Sequence, residues 1–362
     1  MIEIKEGEVS EVLVKDSKVT EVMLLINGQQ SRGINYNQLT GPITEGDKVL
    51  VNTTATSLNL GTGGYDFILK VKGQETELQD TGHIMKLRYS PYQLQTCSLA
   101  EQENANHNLV KEFESLASTP VVVGTLHSML PAIAVMAKTI ISDLNIVYIM
   151  TDGAALPIHF SKLVSYLKQM DLIDTTITIG HAFGGDLEAV NIYSGLIGAY
   201  KIAKADLVVV TMGPGIVGTG TKYGFSGTEQ ADILHAVKVL KGIPIAVPRI
   251  NFADPRRRHY GLSHHSLTNL GKLTLVKSLL GIPNLVKDKN EVINKQLITS
   301  GITNRHQVIY RSGKEVITEL EKLDFKVTTM GRGINEAKEY FMTTGIAGII
   351  ATEKIKGELL DG

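Results

Sequence analysis

The stretch Pro120-Val121-Val122-Val123-Gly124-Thr125-Leu126-His127-Ser128 joins an apolar, β-branched run to a polar loop. Similar runs follow along the rest of the chain, and the whole set is 121–123, 146–149, 176–179, 207–210, 243–247, 308–310 and 326–329. Helix-length segments separate most of these runs, and in one of them Leu163, Leu167 and Met170 recur at i, i+4, i+7. Continuous apolar strands that alternate with helices predict a mostly parallel sheet covered on both faces, which is a three-layer α/β domain.

The residues that precede this domain follow another pattern. Short β-branched runs at 11–14, 19–23 and 48–51 are separated by turn sequences such as Asn27-Gly28, which predicts a small β-barrel or sandwich. Gly61-Thr62-Gly63-Gly64 is too rich in glycine for the interior of a strand and predicts a tight turn or a place where another backbone comes close. We therefore predict a small β domain at 1–85, a connector with a helix near 107–117 at 86–118, and the α/β domain at 119–362.

The composition narrows the class of protein. The chain has 362 residues with 43% hydrophobic residues, and its 36 Lys and Arg almost balance its 37 Asp and Glu, so no strong basic field predicts binding to nucleic acid. The single cysteine, Cys97, excludes an internal disulfide framework. The N-terminus lacks a signal-peptide pattern, and Gly124, Pro131 and Lys138 interrupt the apolar stretch 121–141. We expect a cytoplasmic protein without a membrane partner.

Polar loops follow the predicted strands, and ligands of open α/β sheets bind beyond the carboxyl ends of the strands. The loops in question are 125–128, 151–153, 180–186, 213–224, 249–251 and 331–333. We expect them to meet at one edge of the sheet and to form a single site there.

The longest of these loops contains G-x-G-x-x-G at 213–218, the pattern of a dinucleotide-binding turn. Glycines continue to Gly227, so a helix is expected only from about Thr228, and the next strand ends in Pro248-Arg249 instead of the acid that binds ribose. The loop can still present backbone N–H groups to a phosphate or carboxylate. The residues predicted to hold this anion are Gly213, Gly215, Gly218, Thr219, Gly220, Thr221 and Lys222, and the alternative is a surface turn.

Histidines and aspartates at the strand ends are candidates for catalysis. We predict acid/base or metal chemistry from His181 with Asp152 or Asp186, and a site closed by His264 or His265. A divalent metal would be held by His127, Asp152 and His181, although no short ligand motif supports it. The structural alternative is that Asp152, Asp186 and His264 or Ser266 cap helices. Arg256-Arg257-Arg258 would clamp an acidic ligand at the mouth of the pocket or form a solvated charged run.

Four stretches carry a family resemblance: 52–55, 60–65, 82–89 and 213–224. Together they resemble a bacterial family catalogued as domain of unknown function 3866, and the likeness runs along nearly the whole chain. The resemblance implies a bacterial cytoplasmic protein and supplies no activity, substrate or catalytic residue.

The residues themselves favour an enzyme that acts on a small anionic metabolite, phosphate- or nucleotide-containing, by hydrolysis or group transfer. A divalent metal or a nucleotide is the cofactor considered. Two alternatives stay open: a non-catalytic ligand-binding or regulatory protein, and a nicotinamide-dependent oxidoreductase. The expected partner is a small anionic molecule and neither nucleic acid nor a membrane; a homo-oligomer is left open.

Overall fold

The structure is a computed structural model that describes residues 1–78 and 81–359. The chain forms two compact units, Met1–Thr96 and Cys97–Gly362. Among the described residues, no helix has both the length and the apolar character needed to cross a membrane.

The first unit is a closed five-stranded barrel, as the β-rich pattern predicted. Its strands are β1 (Ile4–Lys15), β2 (Val19–Ile26), β3 (Gln29–Tyr36), β4 (Lys48–Asn52) and β5 (Tyr65–Val71), with short helices α1 (Asn37–Thr40) and α2 (Thr54–Ser57) between them. The strand order is β1-β2-β3-β5-β4, and β4 closes the barrel by pairing with β1. Gly63 and Gly64 have positive φ angles of 68° and 79°, which confirms the turn.

A two-stranded sheet of β6 (Ile84–Lys86) and β7 (Leu94–Thr96) ends the first unit. In the second unit, the helix expected at 107–117 is shorter, α3 (His107–Lys111). The N–H of Leu116 donates to the carbonyl of Leu240, 2.8 Å away. The residues after Lys111 therefore do not continue α3. Their backbone instead bonds, at Leu116, to the residue that follows a later helix.

The strands of the second unit, in chain order, are β8 (Pro120–Val123), β9 (Ile146–Thr151), β10 (Thr175–Thr178), β11 (Leu187–Glu188), β12 (Leu207–Met212), β13 (Ile243–Ala246), β14 (Ile250–Asn251), β15 (Gly261–Leu262), β16 (Leu279–Pro283), β17 (Gln307–Arg311), β18 (Thr328–Thr329) and β19 (Arg332–Gly333). Eight of them form one sheet, ordered β11-β10-β9-β12-β8-β13-β16-β17, in which every pairing is parallel. The predicted parallel sheet is confirmed.

The remaining helices are α4 (Leu130–Ile140), α5 (Lys162–Gln169), α6 (Ile192–Lys201), α7 (Glu229–Val239), α8 (His264–Thr268), α9 (Lys287–Thr299), α10 (Ile302–Arg305), α11 (Lys314–Leu320) and α12 (Lys338–Ile355). Side chains of α4, α5, α11 and α12 pack on one face of the sheet. Side chains of α6, α7 and α9 pack on the other face, so the three-layer architecture is confirmed. Met170, expected on the buried face of α5, lies at the end of that helix and is exposed.

Two strand predictions need correction. Residues 326–329 are not a strand of the main sheet, because Thr328–Thr329 pairs antiparallel with Arg332–Gly333 in a small hairpin. Leu279–Pro283, which the sequence reading missed, lies between β13 and β17. Gly281 interrupts the run of apolar, β-branched residues from which strands were predicted. A glycine is required at this position, because a Cβ there would clash with Ile346 of α12.

The sheet has a topological switch point between the neighbouring strands β8 and β12. The chain leaves β8 through α4, on one face, and leaves β12 through α7, on the opposite face. Connections that diverge in this way open a crevice beyond the carboxyl ends of the two strands. The loops that begin at Gly124 and Gly213 border this crevice.

Candidate functional site

A cavity of about 470 Å³ occupies the crevice at the switch point. We call it the larger cavity, and it is lined by Leu126, His127, Ser128, Leu163, Gly213, Pro214, Gly215, Ile216, Phe325, Lys326, Val327, Thr328 and Met330. Most of these side chains are apolar. The cavity therefore suits an organic group better than a bare ion.

Two of the predicted glycines shape the wall of the larger cavity. Gly213 follows β12 so closely against the neighbouring loop that a Cβ would clash with the carbonyl oxygen of Ala155. Gly215 has φ 113°, which side chains other than glycine rarely tolerate. Both glycines are therefore required by the backbone conformation at this wall of the larger cavity.

His127 belongs to a hydrogen-bonded network at the floor of the larger cavity. Its Nδ1 lies 3.1 Å from the Tyr148 hydroxyl, and its Nε2 lies 2.6 Å from Oγ of Ser161. Burial lowers the pKa of His127 to about 4, so the ring is neutral at pH 7. Both ring nitrogens are already engaged within the protein.

A second, smaller pocket of about 80 Å³ adjoins the larger cavity, and both are lined by Ile216 and Met330. We call it the basic pocket, because its other lining residues are Val217, Gly218, Gly220, Arg249, Arg256, Arg258, His259, His264 and His265. None of these lining residues carries a carboxylate. An anion is the ligand that such a lining favours.

Arg249 is the central group of the basic pocket. It is only 5% exposed, and its guanidinium lies 3.3 Å from the carboxylate of Asp254. The Nε of Arg249 is buried and has no hydrogen-bond partner among the residues that the structure describes. A buried donor without a partner costs free energy, which a bound acceptor would recover.

Asp254 holds the arginines of the pocket in place. Its side chain is fully buried and accepts from Nε and Nη2 of Arg256 at 2.9 and 2.8 Å. Nη1 of Arg332 lies 4.0 Å away. The hydrogen bonds from Arg256 hold the pKa of Asp254 well below its usual range. One buried carboxylate thus faces three guanidinium groups, which leaves a surplus of positive charge.

Three histidine rings form the remaining wall of the basic pocket. The rings of His264 and His265 have centroids 4.1 Å apart, and His265 stacks on Phe225 at 3.9 Å. Burial, reinforced by neighbouring histidines and arginines, lowers the pKa of His265 to about 3. Burial and Arg258 also lower the pKa of His264. Both rings are therefore neutral at pH 7.

A comparison with protein families bears on the same residues. The model of a family described as protein of unknown function (DUF3866) matches residues 32–348, which is most of the chain. The chain belongs to this family. The matched span of this DUF3866 member includes every residue that lines the larger cavity and the basic pocket. The resemblance read from the sequence is confirmed, and no curated protein matches the chain.

The residues of the predicted anion-binding loop of this DUF3866 member lie in three places: the larger cavity, the basic pocket and the solvent-exposed surface. Gly213 and Gly215 line the larger cavity, whereas Gly218 and Gly220 line the basic pocket. Thr219 and Thr221 bond to each other at 2.9 Å inside a turn. Lys222 is exposed, with its ammonium 5.0 Å from the ring centroid of Tyr223. The 3₁₀ turn Ser226–Thr228 and α7 begin only after this turn, so the helix that a dinucleotide fingerprint requires does not start within 213–224.

The predicted catalytic residues fall into separate places. His264 and His265 lie in the basic pocket with the predicted glycines. Asp152 and His181 meet each other, since the main-chain N–H of His181 donates to Oδ2 of Asp152 at 2.9 Å, but neither lines a described pocket. Among the described residues, His127, Asp152 and His181 form no group with ligand atoms within 4.8 Å of one another.

Asp186 fastens a loop to the sheet. Its Oδ2 accepts from the N–H and the hydroxyl of Thr176, both at 2.8 Å, and pairs with Lys168. Burial alone would raise the pKa of Asp186, but these hydrogen bonds lower it. The helix caps suggested as alternatives for the polar residues were wrong. Ser161 caps α5, Asn191 caps α6 and Ser263 caps α8.

The sequence reading missed Glu229, the first residue of α7. Its Oε1 accepts from the Thr151 hydroxyl at 2.7 Å, and a Cβ on Gly153 would lie 2.9 Å from its Oε2. Burial raises the pKa of Glu229 to about 7, and the charge of Asp152 adds to the effect. Its position after Gly227 and Thr228 resembles an ordinary first turn of a helix, so no sequence signal marked it. Arg249 lies in the predicted strand-end loop 249–251, but it was not singled out as a ligand-binding residue.

Proposed function

We propose that this protein binds a small anionic metabolite, phosphate- or nucleotide-containing, at the carboxyl ends of β8, β12 and β13. The anionic group would occupy the basic pocket, and the rest of the molecule would occupy the larger cavity. The observation that carries the proposal is Arg249, a buried guanidinium whose Nε lacks a partner among the described residues and which lies beside two further arginines.

We further propose that the bound metabolite undergoes hydrolysis or group transfer. A neutral imidazole can accept the proton of a hydroxyl nucleophile or of water, and His264 and His265 line the pocket in that form. In this proposal the arginines neutralise the charge of the anion, and His264 acts as the base, because a pKa of about 3 makes His265 too weak a proton acceptor.

A non-catalytic ligand-binding protein is the second candidate. Its support is that other groups expected to act as acids, bases or ligands are already engaged within the protein: both ring nitrogens of His127 and the carboxylate of Asp186. Binding of 4-nitrophenyl phosphate without release of 4-nitrophenol would favour this candidate over the enzyme.

Calorimetric titration of the full chain with inorganic phosphate tests the binding proposal. Arg258→Gln removes an exposed cation from the wall of the basic pocket, and we expect the affinity to fall roughly tenfold to a hundredfold, the value of one or two charge-assisted hydrogen bonds. Arg257→Gln is the matched control, because this neighbouring exposed arginine lines neither pocket. Equal affinities for both variants and the unaltered chain, or no phosphate binding, would contradict the proposal.

A further inference from the structure

The basic pocket and the larger cavity differ in chemistry but share two wall residues, and this combination narrows the ligand. We infer that the ligand is a phosphate monoester whose organic part is predominantly apolar, with its phosphate in the basic pocket and its organic part in the larger cavity. This inference rests on the proposed function. It specifies that the ligand carries one phosphate and that the organic group bonded to this phosphate is predominantly apolar.

The charge of the basic pocket matches a dianion. Arg249, Arg256 and Arg258 line it, and one carboxylate, Asp254, compensates one of these three charges. Two of the three positive charges are therefore uncompensated. The histidines of the wall, whose pKa values are lowered, are neutral at pH 7 and do not change this charge. A phosphate monoester carries about −1.5 to −2 at pH 7, whereas a carboxylate carries a single charge. The arginine fork also fits the oxygens of phosphate in a bidentate manner.

The size of the basic pocket fits one phosphate group. Its volume of about 80 Å³ is about a sixth of the 470 Å³ of the larger cavity. A single tetrahedral oxyanion fits in so small a space. The ligand therefore presents one phosphate to this pocket.

The wall of the larger cavity indicates the organic part. Leu126, Leu163, Ile216, Phe325 and Val327 supply apolar surface, and the cavity measures about 470 Å³. Burial of apolar surface there contributes binding free energy in proportion to the area removed from water. A ligand with a ring or a branched carbon skeleton gains more from this wall than a polyhydroxylated one.

The two compartments meet at Ile216 and Met330, which belong to the linings of both. Met330 lies at the tip of the β18–β19 hairpin and is half-exposed, with φ 49°. A single ester linkage passing these two side chains would connect the phosphate with the organic group. The shared wall is what turns two separate pockets into one amphipathic site.

The inference is tested by titrating the full chain with inorganic phosphate, methyl phosphate, butyl phosphate and phenyl phosphate. We expect affinity to rise along this series, with phenyl phosphate binding roughly tenfold to a hundredfold more tightly than inorganic phosphate. Phenylacetate, which has the same ring on a carboxylate, should bind more weakly than phenyl phosphate.

Leu163→Trp locates the organic group, because the larger side chain fills part of the larger cavity at a half-buried position. We expect this variant to lose at least tenfold in affinity for phenyl phosphate and to retain inorganic phosphate within about twofold. Met170→Trp, at the exposed end of the same helix, is the matched control and should bind both ligands as the unaltered chain does. The series of ligands on the unaltered chain decides the matter if Leu163→Trp does not fold.

The outcomes separate the two proposals. If no phosphate compound binds, the proposed function fails and this inference fails with it. If inorganic phosphate binds but the organic esters bind no more tightly, or if phenylacetate is preferred, the inference is overturned while the proposed function stands. A rise along the series that Leu163→Trp abolishes supports both.

Discussion

Removal of the buried carboxylate of Asp254 should destabilise the α/β unit. Asp254→Asn keeps the shape of the side chain but leaves Arg249, with only 6% of its side chain exposed, without a compensating charge. Breaking a buried ion pair from one side costs about 3–5 kcal/mol. Two of the three arginines contribute less to this cost, since solvent screens the charge of Arg256, which is 43% exposed, and Arg332 lies 4.0 Å from the carboxylate of Asp254. We therefore expect a smaller loss in the free energy of unfolding, about 2–3 kcal/mol.

A loss of this size corresponds to a fall in Tm of about 5–10 °C for a domain of this class. Urea unfolding at pH 7, with a parallel thermal scan, measures it. Glu319→Gln is the control, since Glu319 pairs with an exposed lysine, Lys322, and its removal should cost no more than about 0.5 kcal/mol.

The same variant has a defined pH dependence. The pKa of Asp254 is held below its ordinary value, so its contribution is present above the pKa of the unfolded chain, about 3.9, and is lost as the pH falls. The difference in stability between the two chains should therefore be constant from pH 7 to about pH 5 and should narrow below about pH 4. A difference under about 0.5 kcal/mol at pH 7 would refute the reasoning, because Arg249 would then need no buried counter-charge.

Two further predictions concern Glu229 and Gly281. Burial raises the pKa of Glu229 to about 7, whereas the unfolded chain releases this proton near pH 4.5, so stability falls as the pH rises from about 4.5 to 7. Glu229→Gln should therefore be more stable than the unaltered chain by about 1–3 kcal/mol at pH 8. The same difference in free energy of unfolding between the two chains at pH 5 and at pH 8, measured by urea unfolding, would contradict this. Gly281→Ala should lower the free energy of unfolding by about 1–3 kcal/mol, since the added Cβ would clash with Ile346 and lie 3.0 Å from Ile350, whereas Gly61→Ala, which meets open space, should stay within about 0.5 kcal/mol.

Part of the candidate site could be read from the chain order of residues. The polar loops after Val123 and Met212 were expected at one edge of the sheet, and both border the larger cavity. The late start of α7 was also expected, from the glycines that follow Gly218. This late start argues against a dinucleotide-binding turn, in which the helix begins within the glycine motif. Such features are local, because backbone conformation at glycine and the alternation of apolar runs depend mainly on near neighbours.

The roles of individual polar side chains depended on contacts between distant parts of the sequence. His127 and Asp186 carry the residue types of catalysis, yet their partners Ser161 and Thr176 engage them in hydrogen bonds. Glu229 carries no motif, yet its burial against Thr151 raises its pKa. A side chain's partners and its desolvation are set by packing, which no spacing in the sequence records.

Hydrophobic periodicity and turn residues act over short distances, so the order of residues was enough to predict the two-part architecture, the parallel three-layer sheet and the polar loops at the strand ends. The order of residues did not show that Arg249 lies beside Asp254 and Arg256, or that this basic pocket opens onto an apolar cavity at Ile216 and Met330. The charges and surfaces of this site come from separate strand ends, and their distances are fixed only when the sheet and its covering helices have packed.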